Sequence, residues 1–265
     1  MPEAIPKRII QTARTRDLSP IAKASATNLR LLHPDWEFLF FDDNDILKFI
    51  RTEFPQHAEV FDGFPRPIQR IDFFRYLAVS RLGGFYFDLD VFLSESLGGL
   101  LAEGCVFPFE ELTLSRFLRK EYKIDWEIGN YGFGAAPGDR FLNAVVENCV
   151  RAQKDHSWLG PMLHDVPRMF RSDYEVLCTT GPGLVTRTYA SESAMVNHVR
   201  ILFPSDVCDE SSWHLFGDLG IHYMDGSWRD KGGFFRRKLA AWWEVRIRSK
   251  LLAESSRLGP TRPIC

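Results

Sequence analysis

The chain has 265 residues, of which 45% are hydrophobic and 26% charged, with a formal net charge of −2. This is the balance of an ordinary soluble globular protein and gives no global electrostatic argument for nucleic acid. Five cysteines (Cys105, Cys149, Cys178, Cys208, Cys265) lie apart with no Cys-x-x-Cys pair. They argue against a disulfide framework and a structural zinc site, and for a reducing, cytoplasmic compartment. Met1 to Gln11 has no apolar core of a signal peptide, and no window offers the roughly 20 apolar residues that span a bilayer.

In chain order, Ile5 to Thr12 predicts a strand, and Ile21 to Leu32 a helix that His33-Pro34 ends. Trp36 to Phe41 predicts a second strand, with Asp45 as N-cap of a helix over Ile46 to Phe54. Gln69 to Leu82 is the strongest helix, with Ile71, Phe74, Leu77, Ala78 and Leu82 on one face. Gly83-Gly84 stops it and a strand through Asp88-Leu89-Asp90 follows. Alternating strand and helix predicts an α/β fold with a mixed, mostly parallel central sheet flanked by helices.

Further on, Val106 to Glu110 and Asn130 to Ala136 predict short strands, and Arg140 to Gln153 a helix. Thr179 to Gly183 reads as a turn or the start of a helix, and Ile221 to Trp228 as a strand that breaks into a loop. With no repeat or linker, a single domain is expected. Residues 1–230 form its body, and a basic, aromatic helix and loose tail over 231–265 belong to it.

Gly83-Gly84-Phe85-Tyr86-Phe87-Asp88-Leu89-Asp90 is the most informative segment. In a strand, residues i and i+2 share a face, so Asp88 and Asp90 project together. Two carboxylates that close call for a cation between them, and hard divalent ions take carboxylate oxygens. The bland alternative is a solvated strand tip. Asp72 and Arg75 stand one helical turn apart, either as a surface ion pair or as two groups aimed into a pocket.

Together these segments resemble the glycosyltransferases that carry the DXD sugar-binding region, grouped as glycosyltransferase family 32. The family includes fungal initiating α-mannosyltransferases, and the bacterial glucosylating toxins have a related core. The matching stretches are Ile5-Pro6-Lys7-Arg8-Ile9-Ile10-Gln11, Pro34-Asp35-Trp36, Arg70-Ile71-Asp72-Phe73-Phe74-Arg75-Tyr76, the Asp-x-Asp segment, and His222 with Gly226-Ser227-Trp228. Many relatives have a His before the Gln of the first motif, where this chain has Ile10.

The resemblance implies a GT-A fold and a retaining transfer of a hexose from a UDP- or GDP-sugar to a glycan, lipid-linked or polysaccharide acceptor. It implies Mn²⁺ or Mg²⁺ at Asp88, Asp90 and His222, and Asp72 and Arg75 in the sugar pocket. Gln11, Thr12, Arg70, Tyr86, Ser227 and Trp228 are its implied contacts to the nucleotide sugar. Asn130, Asp125 and the Gly181-Pro182-Gly183 loop are implied on the acceptor side. No general base is implied, because the departing phosphate can take the acceptor's proton.

Residues 234–252 combine Phe235, Leu239, Trp242, Trp243 and Ile247 with many Lys and Arg. They suit either a peripheral helix on the inner face of a membrane or a core-packing helix. Two rivals use other chemistry. A haloacid-dehalogenase-type phosphatase has an Asp-x-Asp nearer its N-terminus, and a non-catalytic carbohydrate-binding module would have an incomplete set.

Overall fold

The computed structural model describes residues 3–191, 197–207, 209–223, 242–246 and 249. The first half alternates β1 (Arg8–Thr12), α1 (Pro20–Leu32), β2 (Glu37–Phe41), α2 (Asp43–Glu53), α3 (Ala58–Gly63), α4 (Pro67–Leu82) and β3 (Gly84–Phe87). After β4 (Val91–Leu93) come β5 (Cys105–Leu112), β6 (Trp126–Ile128), β7 (Gly132–Ala135) and α5 (Arg140–Lys154). Three shorter helices follow, α6 (Gly160–Leu163), α7 (Arg171–Thr179) and α8 (Pro182–Ser191), then β8 (Arg200–Leu202) and β9 (Gly220–His222).

The central sheet has the order β2-β1-β3-β7-β5-β6, with β8 joined to β5. β1 pairs parallel with β2 and β3, and β8 with β5. β7 runs antiparallel between β3 and β5. This is the mixed, helix-flanked α/β sheet that the alternation predicts. β5 points the same way as β3, because each is antiparallel to β7. The carboxyl ends of β1, β3 and β5 therefore share one edge, where open α/β sheets bind ligands.

Aromatic packing holds the sheet to its helices. Phe107 stacks on Phe133 with centroids 4.7 Å apart and planes at 2°, a contact worth about 0.5–1.5 kcal/mol beyond its burial. On the other face, buried His33 does more than end α1. Its Nδ1 bonds the Leu29 carbonyl at 2.8 Å and its Nε2 accepts from the Leu97 amide at 2.9 Å. Burial lowers its pKa, which suits the neutral ring that this pairing needs.

Three local expectations are corrected. The N-cap of α2 is Asp42, whose carboxylate accepts from the Asn44 and Asp45 amides, while Asp45 closes the capping box from inside the helix. Helix α4 has no single apolar face: Gln69, Asp72 and Arg75 are buried along with its apolar residues, because α4 packs on both the sheet and α5. Asp88 and Asp90 do not ride on a strand. β3 ends at Phe87, and Asp88-Leu89-Asp90 forms a tight turn into β4, with the Val91 amide 3.3 Å from the Asp88 carbonyl.

Candidate functional site

The turn after β3 is where the chain's charged motifs meet. Pairing with β7 ends at Phe87↔Gly132, and the Asp88 amide then donates to the Tyr131 carbonyl at 2.7 Å. The chain reverses into β4, which belongs to a separate two-stranded sheet with β9. In that sheet Val91 is the register partner of His222. His222 Nε2 consequently lies 3.3 Å from Asp90 Oδ1. Its ring stacks on Tyr131 with centroids 4.3 Å apart, which fixes its plane. One ligand atom from each of Asp88, Asp90 and His222 falls within 4.8 Å of the others. Two carboxylates and an imidazole so placed fit a hard or borderline divalent cation such as Mg²⁺ or Mn²⁺.

Beside this trio sits a buried charge network. Arg75 is 3% exposed, with Nη2 3.1 Å from Asp72 Oδ1 and 3.2 Å from Asp88 Oδ1. Its Nη1 donates to the Asn130 carbonyl at 2.8 Å, and the guanidinium lies over the Tyr86 ring. Asp72 also accepts from the Thr180 hydroxyl at 2.8 Å, and Asp88 from the Tyr86 hydroxyl at 2.7 Å. Asn130 completes the network by donating to Tyr76 at 2.9 Å.

Burial pushes both carboxyls up, Asp72 to about 6 despite the neighbouring Arg75. For Arg75, burial opposes the charge, but Asp88, Tyr86 and Asp72 outweigh it and hold the guanidinium above its ordinary value. One cation between two carboxylates leaves a net negative site, the condition under which a second cation binds.

Among the residues implied at the donor, Thr12 shares a hydrogen bond with Tyr86 at 3.2 Å. Tyr86 is 1% exposed, so it orients Asp88 from beneath. Gln11 is buried at the end of β1, and its Nε2 has no protein partner among the described residues. Arg70 is not brought to the cluster. It donates to the Phe64 and Asp62 carbonyls, both at 3.1 Å, and ties down the loop before α4. Ser227 and Trp228 lie outside the described residues.

Asn130 turns inward to the charge network, while Asp125 begins the β6 hairpin, its carbonyl accepting from Thr113. Thr180 and Tyr131 carry no signal in the sequence, and Tyr76 is marked there only as the last residue of the Arg70–Tyr76 stretch. Only the Gly181-Pro182-Gly183 step after Thr180 marks the place, and it proves to be the α7–α8 junction.

Residues 22–107, which include the Asp-x-Asp turn and α4, match the family described as "Glycosyltransferase sugar-binding region containing DXD motif". The chain is 28% identical over 228 residues to the mannosyl phosphorylinositol ceramide synthase SUR1 of Saccharomyces cerevisiae, covering 81% of this chain and 53% of the relative. It is 28% identical over 247 residues to inositol phosphoceramide mannosyltransferase 3 of Schizosaccharomyces pombe, covering 91% of this chain and 61% of the relative. The chain thus spans little more than half the length of these relatives. Among solved structures, the UDP-bound glycosyltransferase domain of the YGT toxin aligns at a TM-score of 0.49 and 9% identity, over 75% of this chain and 80% of the domain. No comparison supports a phosphatase, and in Asp88 both carboxylate oxygens are taken by Arg75 and Tyr86, a poor state for a nucleophile.

Proposed function

We propose that the chain is a metal-dependent, retaining hexosyltransferase that uses a UDP- or GDP-sugar, with mannose as the hexose its relatives' names favour. The observation that carries this reading is the convergence of Asp88, Asp90 and His222 beside the buried Asp72–Arg75–Asp88 network. Asp90, His222 and Asp88 would hold Mn²⁺ or Mg²⁺, which would neutralise charge on the departing diphosphate without a proton transfer.

The chain's own residues supply orientation. Tyr86 and Arg75 fix the Asp88 carboxylate so that it cannot rotate away, and Thr180 and Asn130 do the same for Asp72. A buried, aligned carboxylate can accept from sugar hydroxyls without first reorganising. The buried Gln11 amide N–H is a further donor open to a ligand at the carboxyl edge of the sheet. No residue is assigned as a general base. The departing phosphate takes the acceptor's proton.

The acceptor in this reading is a lipid-linked polyol or glycan, as the relatives act on inositol phosphoceramide by name. Residues 1–230 form the catalytic body and 231–265 belong to it. In support, Trp243 packs on Phe170 and Tyr174 with centroids 5.8 and 5.7 Å apart. In the same short stretch Trp242 and Val245 stay exposed, which suits the peripheral membrane contact of this reading, on a cytoplasmic protein at the inner face. The rest of 234–252 lies outside the described residues.

A donor panel of UDP- and GDP-sugars, run with Mn²⁺ and with EDTA, tests the reading. Metal-dependent release of nucleoside diphosphate is expected from at least one donor. No release from any of them would leave only a non-catalytic sugar-binding module.

A further inference from the structure

In a regular strand, neighbouring residues point to opposite faces. Glu110 and Glu111 on β5 break that rule. The pairing of β5 with β6 shifts between Phe109↔Ile128 and Leu112↔Trp126, so β5 carries one residue more than its partner there. Such a bulge re-aims side chains and recurs beside active sites. Here it turns both glutamates onto one imidazole. Glu110 Oε1 lies 3.3 Å from His214 Nδ1, and Glu111 Oε2 lies 3.9 Å from Nε2.

Two further local features serve the same imidazole. His214 has φ at 60°, in the left-handed region that costs a residue with a Cβ some backbone strain. In that conformation its amide donates to the Glu110 carbonyl at 3.0 Å, and its carbonyl accepts from the His222 amide at 3.0 Å. One residue thus ties the bulge on β5 to the strand that carries His222. Gly129 supplies the room. A Cβ there would sit 2.5 Å from Glu110 Oε2 and 2.6 Å from Tyr131 Cε1.

These pieces close around His222. Its Nε2 faces Asp90, and its Nδ1 is buried without a hydrogen-bond partner among the described residues. A metal-binding histidine ordinarily donates its second N–H to a carboxylate or carbonyl, which sets the orientation of the ring. For His222, ring packing takes that role. Tyr131 stacks on it, and His214 meets it at 73° with centroids 6.4 Å apart, an edge-to-face contact. Each of these two rings is itself anchored. The Tyr131 hydroxyl donates to the Leu215 carbonyl at 2.8 Å, and His214 is flanked by its two glutamates.

We propose that Glu110 and His214 are positioning residues for His222. The Glu110 carboxylate holds the His214 ring, and that ring holds the His222 imidazole at the angle that aims Nε2 at the cation. The role of His222 as a ligand rests on the glycosyltransferase reading; the Glu110–His214 pair is an addition to it. Neither residue is catalytic, since each acts through His222.

Mn²⁺ binding to the full chain is measured from the loss of the free-ion electron paramagnetic resonance signal, alone and with UDP or GDP added. Glu110→Gln keeps the shape of the side chain and removes its charge. His214→Asn removes the ring but tolerates the left-handed region, so both backbone bonds are kept. Each change is also combined with His222→Ala, and thermal unfolding checks that every variant folds.

Each single variant should bind Mn²⁺ about tenfold more weakly than wild type. In the His222→Ala background neither should weaken binding further, because the group it positions is gone. A general loss of structure or of negative charge would weaken binding by the same factor in both backgrounds, and that result overturns the inference. Wild-type affinity in either variant overturns it too, and leaves the metal site itself standing. If wild type binds no Mn²⁺ under any of these conditions, the metal reading fails and this inference with it.

Discussion

His222 Nε2 lies 3.3 Å from Asp90 Oδ1 because Val91 and His222 are register partners in the β4–β9 sheet. A short strand pair, separate from the main sheet, thus brings a late residue onto the Asp-x-Asp turn. With Tyr131 stacked on its ring, the His222 imidazole is held in place beside the turn.

Replacing His222 with Ala should raise the Mn²⁺ concentration for half-maximal nucleotide-sugar turnover by at least about tenfold, with partial rescue at high Mn²⁺. Metal titration of turnover checks this. An unchanged midpoint would remove His222 from the coordination set.

Arg75→Met should be strongly destabilising. It leaves Asp72 and Asp88 buried without their shared cation, a loss of about 3–5 kcal/mol for a broken buried pair. Urea unfolding measures it. Adding Asp88→Asn should recover part of the loss, because only one uncompensated carboxylate remains.

Asp72 has a folded pKa of about 6, above its ordinary value, because burial disfavours its charge. The folded state therefore holds this proton more tightly than the unfolded state between about pH 4 and 6. The contribution of Asp72 to stability is fully present below that window and is lost as pH rises through it. His33, with a lowered pKa, acts in the opposite direction as the medium is acidified. The difference between wild type and Asp72→Asn isolates the first effect. Unfolding measured at pH 4.5, 5.5 and 7 should favour the variant progressively more, and a constant difference would contradict a raised pKa.

Gly84→Ala should destabilise the fold by about 1–3 kcal/mol or more. Gly84 has φ at 107°, and a Cβ there would sit 2.7 Å from the Arg8 carbonyl oxygen. The clash forces apart the β1–β3 pair that carries Thr12 and Tyr86, so thermal stability and turnover should fall together.

The parts of this site legible in the sequence were those with short-range chemistry. Gly83-Gly84 ending a helix, the paired aspartates and the Asp72–Arg75 spacing are all local; the last two land at the cluster, and the glycines start the strand that leads to it. The strand setting of Asp88 and Asp90 was misread because their proximity comes from a turn, and a turn leaves no alternation to read. α4 was misread as amphipathic because a helix packed on two sides buries polar residues that pair with partners far along the chain. Thr180 and Tyr131 were invisible for the same reason: their roles are set by tertiary contact, and a threonine before a glycine turn or a tyrosine just ahead of a short strand is commonplace.

The most direct measurement of the central claim is nucleoside diphosphate release from the responsive UDP- or GDP-sugar, for wild type and Asp90→Ala, with Mn²⁺ and with EDTA. The account predicts release by wild type with Mn²⁺, none with EDTA, and a loss of about 10²–10³-fold in Asp90→Ala. Full activity of Asp90→Ala, or of wild type in EDTA, would contradict it.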